Sequence, residues 1–165
     1  MIKIKSTDSF WHTFVRSFLF FGLLTFGSYS LGKTYQYATG SFKTTAKYKG
    51  KTLSVDWAAL QPKASKKGLL VYFHGDGGGS AYKNSVYSLE KVASKYGFHA
   101  VTVKAPVSAS WQGPIVSSNP DHPYPNGKAF DDFLFYYIDK YKVDVKNVYF
   151  SGLSGGAMFV SGHYI

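Results

Sequence analysis

The sequence predicts an α/β protein, a mostly parallel sheet with flanking helices. Three observations carry that prediction. Two short apolar runs rich in β-branched and aromatic residues, LLVYFH at 69–74 and FHAVTV at 98–103, have the character of strands buried on both faces. Between them, residues 84–96 space Val86, Leu89, Val92 and Ala93 as one face of a helix that Gly97 stops. The alternation then repeats: Phe130, Phe133, Leu134 and Tyr137 mark a helix over 128–142, and a short strand follows over 147–150.

A chain of 165 residues, 45% hydrophobic and 17% charged, has room for one folded domain with a real core and not for two. The formal charge of +10 is unevenly placed: residues 1–32 carry +2, residues 33–67 carry +7, and the remainder only +1. A basic face built for nucleic acid would also be expected to use Arg for bidentate contacts, and this chain has one, Arg16. Nucleic acid is therefore set aside as a partner. With no Cys, disulfides and cysteine-based metal or nucleophile chemistry are excluded, while the compartment stays open.

Taken from the start, residues 1–32 read as a signal peptide or membrane anchor. Lys3, Lys5 and Arg16 precede sixteen uncharged residues, 17–32, and Ser28 and Ser30 supply an A-x-A-like spacing. That run is shorter than the ~20 residues of a stable span. The five Lys that follow it (33, 43, 47, 49 and 51) oppose export under the positive-inside rule, but the overall layout outweighs them. The expectation is a secreted or cell-envelope protein, with membrane association through residues 17–32. A hydrophobic helix packed on the domain is the alternative. Residues 33–50 read as a basic linker running into an edge strand, with Gly40 and Gly50 as breakers. Residues 51–165 form the α/β domain, opening with a strand over 51–60 that Pro62 stops.

Two motifs carry chemistry. Gly152-Leu153-Ser154-Gly155-Gly156 fits G-x-S-x-G, with the strand VYF before it and an apolar, small-residue segment after it. That is the context of a nucleophile elbow, where Ser154 sits on a strained turn and flanking glycines avoid backbone collisions. Gly155 then offers an amide at a helix start, where the dipole favours developing negative charge. His74-Gly75-Asp76-Gly77-Gly78-Gly79 follows the first buried strand, where an HGGG-type turn supplies the other half of an oxyanion hole. A phosphate loop is the rival for this segment, but it lacks a Gly-Lys-Ser/Thr ending. Together, in this order, the motifs describe an α/β-hydrolase half-fold.

The His-Gly turn, the helix ending in KYGF and the run YKVDVKNVYFSGLSGGAMF resemble the polyhydroxybutyrate depolymerase and feruloyl esterase group of α/β-hydrolases over roughly residues 55–165. The resemblance implies Ser154 as nucleophile and the amides of Gly155 and Asp76 as oxyanion donors. His74, Gly75, Gly77, Gly152 and Gly156 then support the two turns. The group's Ser-Ala-Gly-Gly is here Ser-Gly-Gly-Ala, and its cysteines are absent, which bears on subfamily and substrate more than on fold. The implied partner is an ester substrate, polymeric esters included, with no cofactor and no metal.

The catalytic partners of such a serine follow in the order Asp/Glu, then His. Eleven residues follow Ser154, and His163, nine positions on, would lie on the opposite face of a helix and about 13 Å along its axis. His74 reads as a support for its turn, Asp121 and His122 as loop residues, and Asp131 and Asp132 as a helix first-turn pair. The expected fold is thus truncated after the elbow, with the elbow strand at the sheet edge. Trp111, in the irregular stretch 104–126, is a candidate for a substrate pocket or a packing residue. A serine esterase whose Asp and His lie elsewhere, leaving this chain alone inactive, is the leading reading. A non-catalytic, membrane-associated binding protein and a serine peptidase of the same fold are the alternatives.

Overall fold

A computed structural model of the chain describes residues 35–63, 68–108, 110–113 and 125–164. The expected signal or anchor over 1–32 and the loop residues Asp121 and His122 lie outside them. No helix among the described residues is long and apolar enough to cross a membrane.

Strand β1 (Tyr35–Tyr48) and strand β2 (Lys51–Pro62) pair as an antiparallel hairpin. The residues between them, Lys49 and Gly50, both have positive φ (48° and 76°), the backbone of a two-residue turn whose twist matches the strands. The linker expected over 33–50 is therefore a 14-residue edge strand from Tyr35 onward. Its alternation is present in the sequence, but the inward side chains include Ala38, Gly40, Thr44 and Ala46, too small or polar to show as a hydrophobic period. At Gly40 the indole of Trp57 on β2 fills the missing side chain's place, with Cζ2 2.7 Å from where a Cβ would stand. The ladder slips between Lys43 and Lys47. Thr45, inside that irregularity, donates its amide to Asp132 Oδ2 at 2.7 Å instead.

Strands β3 (Leu69–Phe73), β4 (His99–Val103) and β5 (Val148–Gly152) complete a sheet of order β1-β2-β4-β3-β5. β3 pairs in parallel with β4 and β5, and β2 meets both β1 and β4 antiparallel, so four of the five strands run in one direction and the mostly parallel sheet is as expected, with β2 reversed within it. Because side chains alternate, the sheet buries two faces. On one, Val55, Trp57, Val71, Phe73, Val101 and Val103 pack under helices α3 (Pro125–Tyr141) and α4 (Gly155–Tyr164). On the other, Ala58, Leu60 and Ala100 pack under Tyr82, Val86, Leu89 and Ala93.

That second cover is not one helix over 84–96. It begins with a 3₁₀ turn at Gly78–Ala81 and continues through α1 (Tyr82–Ser85), a second 3₁₀ turn at Val86–Leu89 and α2 (Glu90–Tyr96). Gly97 closes it in the left-handed conformation, φ 68°. The tighter 3₁₀ turns rotate Val92 off the buried face, and it is 48% exposed. Helix α3 starts three residues earlier than expected, with Pro125 in its first turn, where the missing N–H costs nothing. Asp131 and Asp132 consequently lie in its second turn and are not dipole-facing residues; each is a tie to a neighbouring element.

Candidate active site

β3 and β5 run in parallel and end side by side, with Phe73 opposite Gly152. The chain leaves both strands at the same end of the sheet, so the His74–Gly79 turn and the Gly152–Gly156 turn meet. The Leu153 amide donates to the Phe73 carbonyl at 3.1 Å, carrying the ladder one residue beyond the strand. The backbone then reverses: Gly156 N–H reaches Leu153 O at 2.9 Å, and α4 begins at Gly155. Ser154, at the apex, has φ 49°. A left-handed conformation costs a non-glycine residue about 1–2 kcal/mol, and such strain is characteristic of functional turns. Its side chain is exposed.

Two glycines are required by contact, and a third sits tightly. A Cβ on Gly152 would stand 2.5 Å from the Gly156 carbonyl carbon. One on Gly156 would stand 2.5 Å from the His74 carbonyl oxygen, so this residue lets the start of α4 lie directly on the end of β3. At Gly75 the neighbours are Leu153 O at 3.3 Å and Ser154 Cβ at 3.5 Å, which puts the first turn against the serine. Gly77, with φ 76°, turns the chain into the 3₁₀ start of the next segment, and Gly78 N–H closes onto Gly75 O at 2.9 Å.

His74 is 3% exposed and fully engaged. Its Nε2 lies 3.1 Å from the Ala105 amide, which can only donate, so Nε2 accepts. Nδ1, 2.7 Å from Gly75 O, must then carry the proton and donate it. With both nitrogens committed to backbone, His74 holds its turn and the 105–107 loop in place and offers no lone pair to Ser154. The same loop is fixed by Asn126, 1% exposed, whose Oδ1 accepts from Val107 N at 2.8 Å and whose Nδ2 donates to Ser110 O at 3.0 Å. Asn126 was not singled out from the sequence; a polar residue directly after a helix-starting proline was the available signal.

Trp111, seated by this loop, is 0% exposed and packs edge-on to Phe73 and beside Phe130 and Phe159. It is a core residue, and the substrate-pocket reading is corrected accordingly. The exposed apolar side chains at the site are Leu153 (58%) and Met158 (61%), one on each side of Ser154 along the chain. Met158 Sδ receives Gln112 Nε2 at 3.4 Å.

Asp76 and Gly155 are brought together closely. The Asp76 carboxylate occupies the space of the absent Gly155 side chain, with Cγ and Oδ2 2.6 and 2.8 Å from the position of a Cβ. The Gly155 amide is among the orphan donors of a helix start. His163, by contrast, is held away: Nε2 is 3.3 Å from Asp131 Oδ2, the ring stacks on Phe159, and its imidazole rests where Gly127 has no side chain. Tyr164 donates to Asp131 Oδ1 at 2.6 Å, and burial together with the Asp131 charge pushes its phenol up, so it remains a donor. This cluster ties α4 to α3. It contributes no base to Ser154.

No protein-family model matches the chain, and no curated protein matches it in sequence. Solved structures do match in fold. An S-formylglutathione hydrolase from Agrobacterium tumefaciens superimposes with a TM-score of 0.56 at 13% identity, over 80% of this chain and 53% of that one. An acetyl xylan esterase from Aspergillus awamori gives 0.54 at 21% identity, over 78% of this chain and 45% of that one. An acylaminoacyl peptidase from Pyrococcus horikoshii gives 0.51 at 15% identity, over 78% of this chain and 21% of that one. The chain thus spans about half the length of the first two or less, and what it shares with all three is the α/β-hydrolase fold.

Proposed function

We propose that the chain carries the nucleophile half of a serine hydrolase acting on carboxylic esters. The observation that supports this reading is Ser154 itself: an exposed serine at φ 49° on a strand-to-helix turn, with the Gly75 turn lying against it. In this reading Ser154 Oγ bonds to the ester carbonyl carbon while the amides of Gly155 and Asp76 hold the oxyanion. The intermediate collapses by releasing the alcohol, and water then cleaves the acyl-serine.

The hydroxyl proton must go to a base. Among the described residues, His74 and His163 are committed as above, and His99 Nδ1 lies 3.1 Å from Tyr137 OH in the core. We therefore assign the general base and its carboxylate partner to residues other than those described. Ester rather than amide substrates, polymeric esters among them, and a secreted or envelope location with residues 17–32 as membrane contact complete the proposal.

Intact mass after exposure to an uncharged alkyl fluorophosphonate tests it. One phosphonyl adduct that disappears in Ser154→Ala is the expected result. No adduct on the native chain overturns catalysis by Ser154 with the groups of this chain alone and moves the reading to a non-catalytic binding protein.

A further inference from the structure

The Asp76 carboxylate is the unusual feature of this site. An oxyanion hole works by offering positive dipole to a developing negative charge. Here a carboxylate hangs from one proposed donor residue, Asp76, and packs on the other, Gly155. Asp76 is exposed, and it makes no ion pair with any described residue. Lys104, whose Cγ would lie 3.6 Å from a Cβ on Gly79 in the same turn, has Asp56 as its carboxylate partner at 4.0 Å. The negative charge beside the serine is thus left uncompensated by these groups, and the exposed large apolar side chains nearby in the chain are Leu153, which lies against Gly75, and Met158, one turn into α4 from Ser154.

We propose that Asp76 is a specificity-determining residue that selects esters carrying an alkylammonium group next to the reacting carbonyl. The inference rests on Ser154 being the nucleophile. A neutral or anionic ester has to build an oxyanion beside the carboxylate packed on Gly155, and their repulsion grows as bound substrate displaces the water between them. An ester with a cationic group close to its carbonyl brings the compensating charge with it, and Leu153 and Met158 accommodate the alkyl substituents on the nitrogen. A carboxylate is acceptor-only, so it rewards a cation and offers no donor to an anionic substrate.

The test compares two phosphonylating reagents on the full chain. One is an uncharged fluorophosphonate; the other is a phosphonothiolate whose leaving thiol bears a quaternary ammonium group. In both reactions the Ser154 Oγ–P bond forms, the P–F or P–S bond breaks, and the hydroxyl proton passes to buffer. The native chain is expected to favour the cationic reagent, and Asp76→Asn, which keeps the backbone amide, to lower the ratio of cationic to uncharged rate constants by about tenfold or more. Asp76→Glu restores much of the preference. An unchanged or increased ratio in Asp76→Asn, with labelling still lost in Ser154→Ala, overturns this inference alone. No Ser154-dependent labelling by either reagent, in native chain or variant, overturns it together with the nucleophile assignment.

Discussion

The two edges of the sheet are built differently. β1, at one edge, is 14 residues long, whereas β5, at the other, has five, all half-buried. The β1 edge carries outward Lys43 and Lys47, charges of the kind that discourage edge-to-edge pairing, and its irregularity is sealed by Asp132 and Lys128 from α3. Beside it lies the aromatic wall of Trp57, Phe133, Tyr137 and Tyr141. The β5 edge has no strand on its outer side among the described residues, and it ends in the strained serine. One edge is organised for stability, and the other ends in the candidate site.

This contrast can be broken most severely in the wall. Trp57→Ala removes a 4% exposed indole that also covers Gly40, and should cost about 4 kcal/mol in urea unfolding while leaving the reactivity of Ser154 in the remaining folded chain unchanged. On the site side, Gly156→Ala should cost about 3 kcal/mol, because its Cβ would meet a backbone carbonyl that cannot step aside. Unlike the tryptophan variant, it should also abolish fluorophosphonate labelling, since it forces the two turns apart.

Asp132 sharpens the comparison through pH. Burial raises its carboxyl, but hydrogen bonds from Lys128 and from the Thr45 hydroxyl and amide outweigh this and hold it below its ordinary value of 3.8. Stability from this group is therefore full above the unfolded value and lost as pH falls through the lower folded one. Asp132→Asn should destabilise by about 1–2 kcal/mol at neutral pH, and chemical denaturation should show the difference shrinking below about pH 4. The smallest effect belongs to Gly155→Ala. Its Cβ meets the end of the Asp76 side chain, which can rotate away, so a loss under about 1 kcal/mol is expected by thermal melting.

Much of this was legible in the sequence. β3, β4 and β5 were readable because strands buried on both faces are continuous apolar runs, and the two glycine motifs were readable because each follows such a run. β1 was not: apart from Phe42, the inward positions from 38 to 46 are Ala38, Gly40, Thr44 and Ala46, which pack against Trp57 and Leu53 across the ladder. Trp111 was ambiguous because an indole in a loop packs inward or lines a pocket by tertiary context alone, and here His74 and Asn126 draw its loop onto the core. The position of the Asp76 carboxylate was equally hidden, since it follows from the approach of two turns distant in sequence.

The central claim, that the strained turn makes Ser154 a nucleophile, is tested most directly by brief exposure to p-nitrophenyl acetate, acid quench and peptide mass mapping. The account predicts a single acetyl group on the peptide containing Ser154, formed ahead of any acetylation of the chain's lysines. Acetyl distributed over lysine side chains, with Ser154 unmodified, would contradict it.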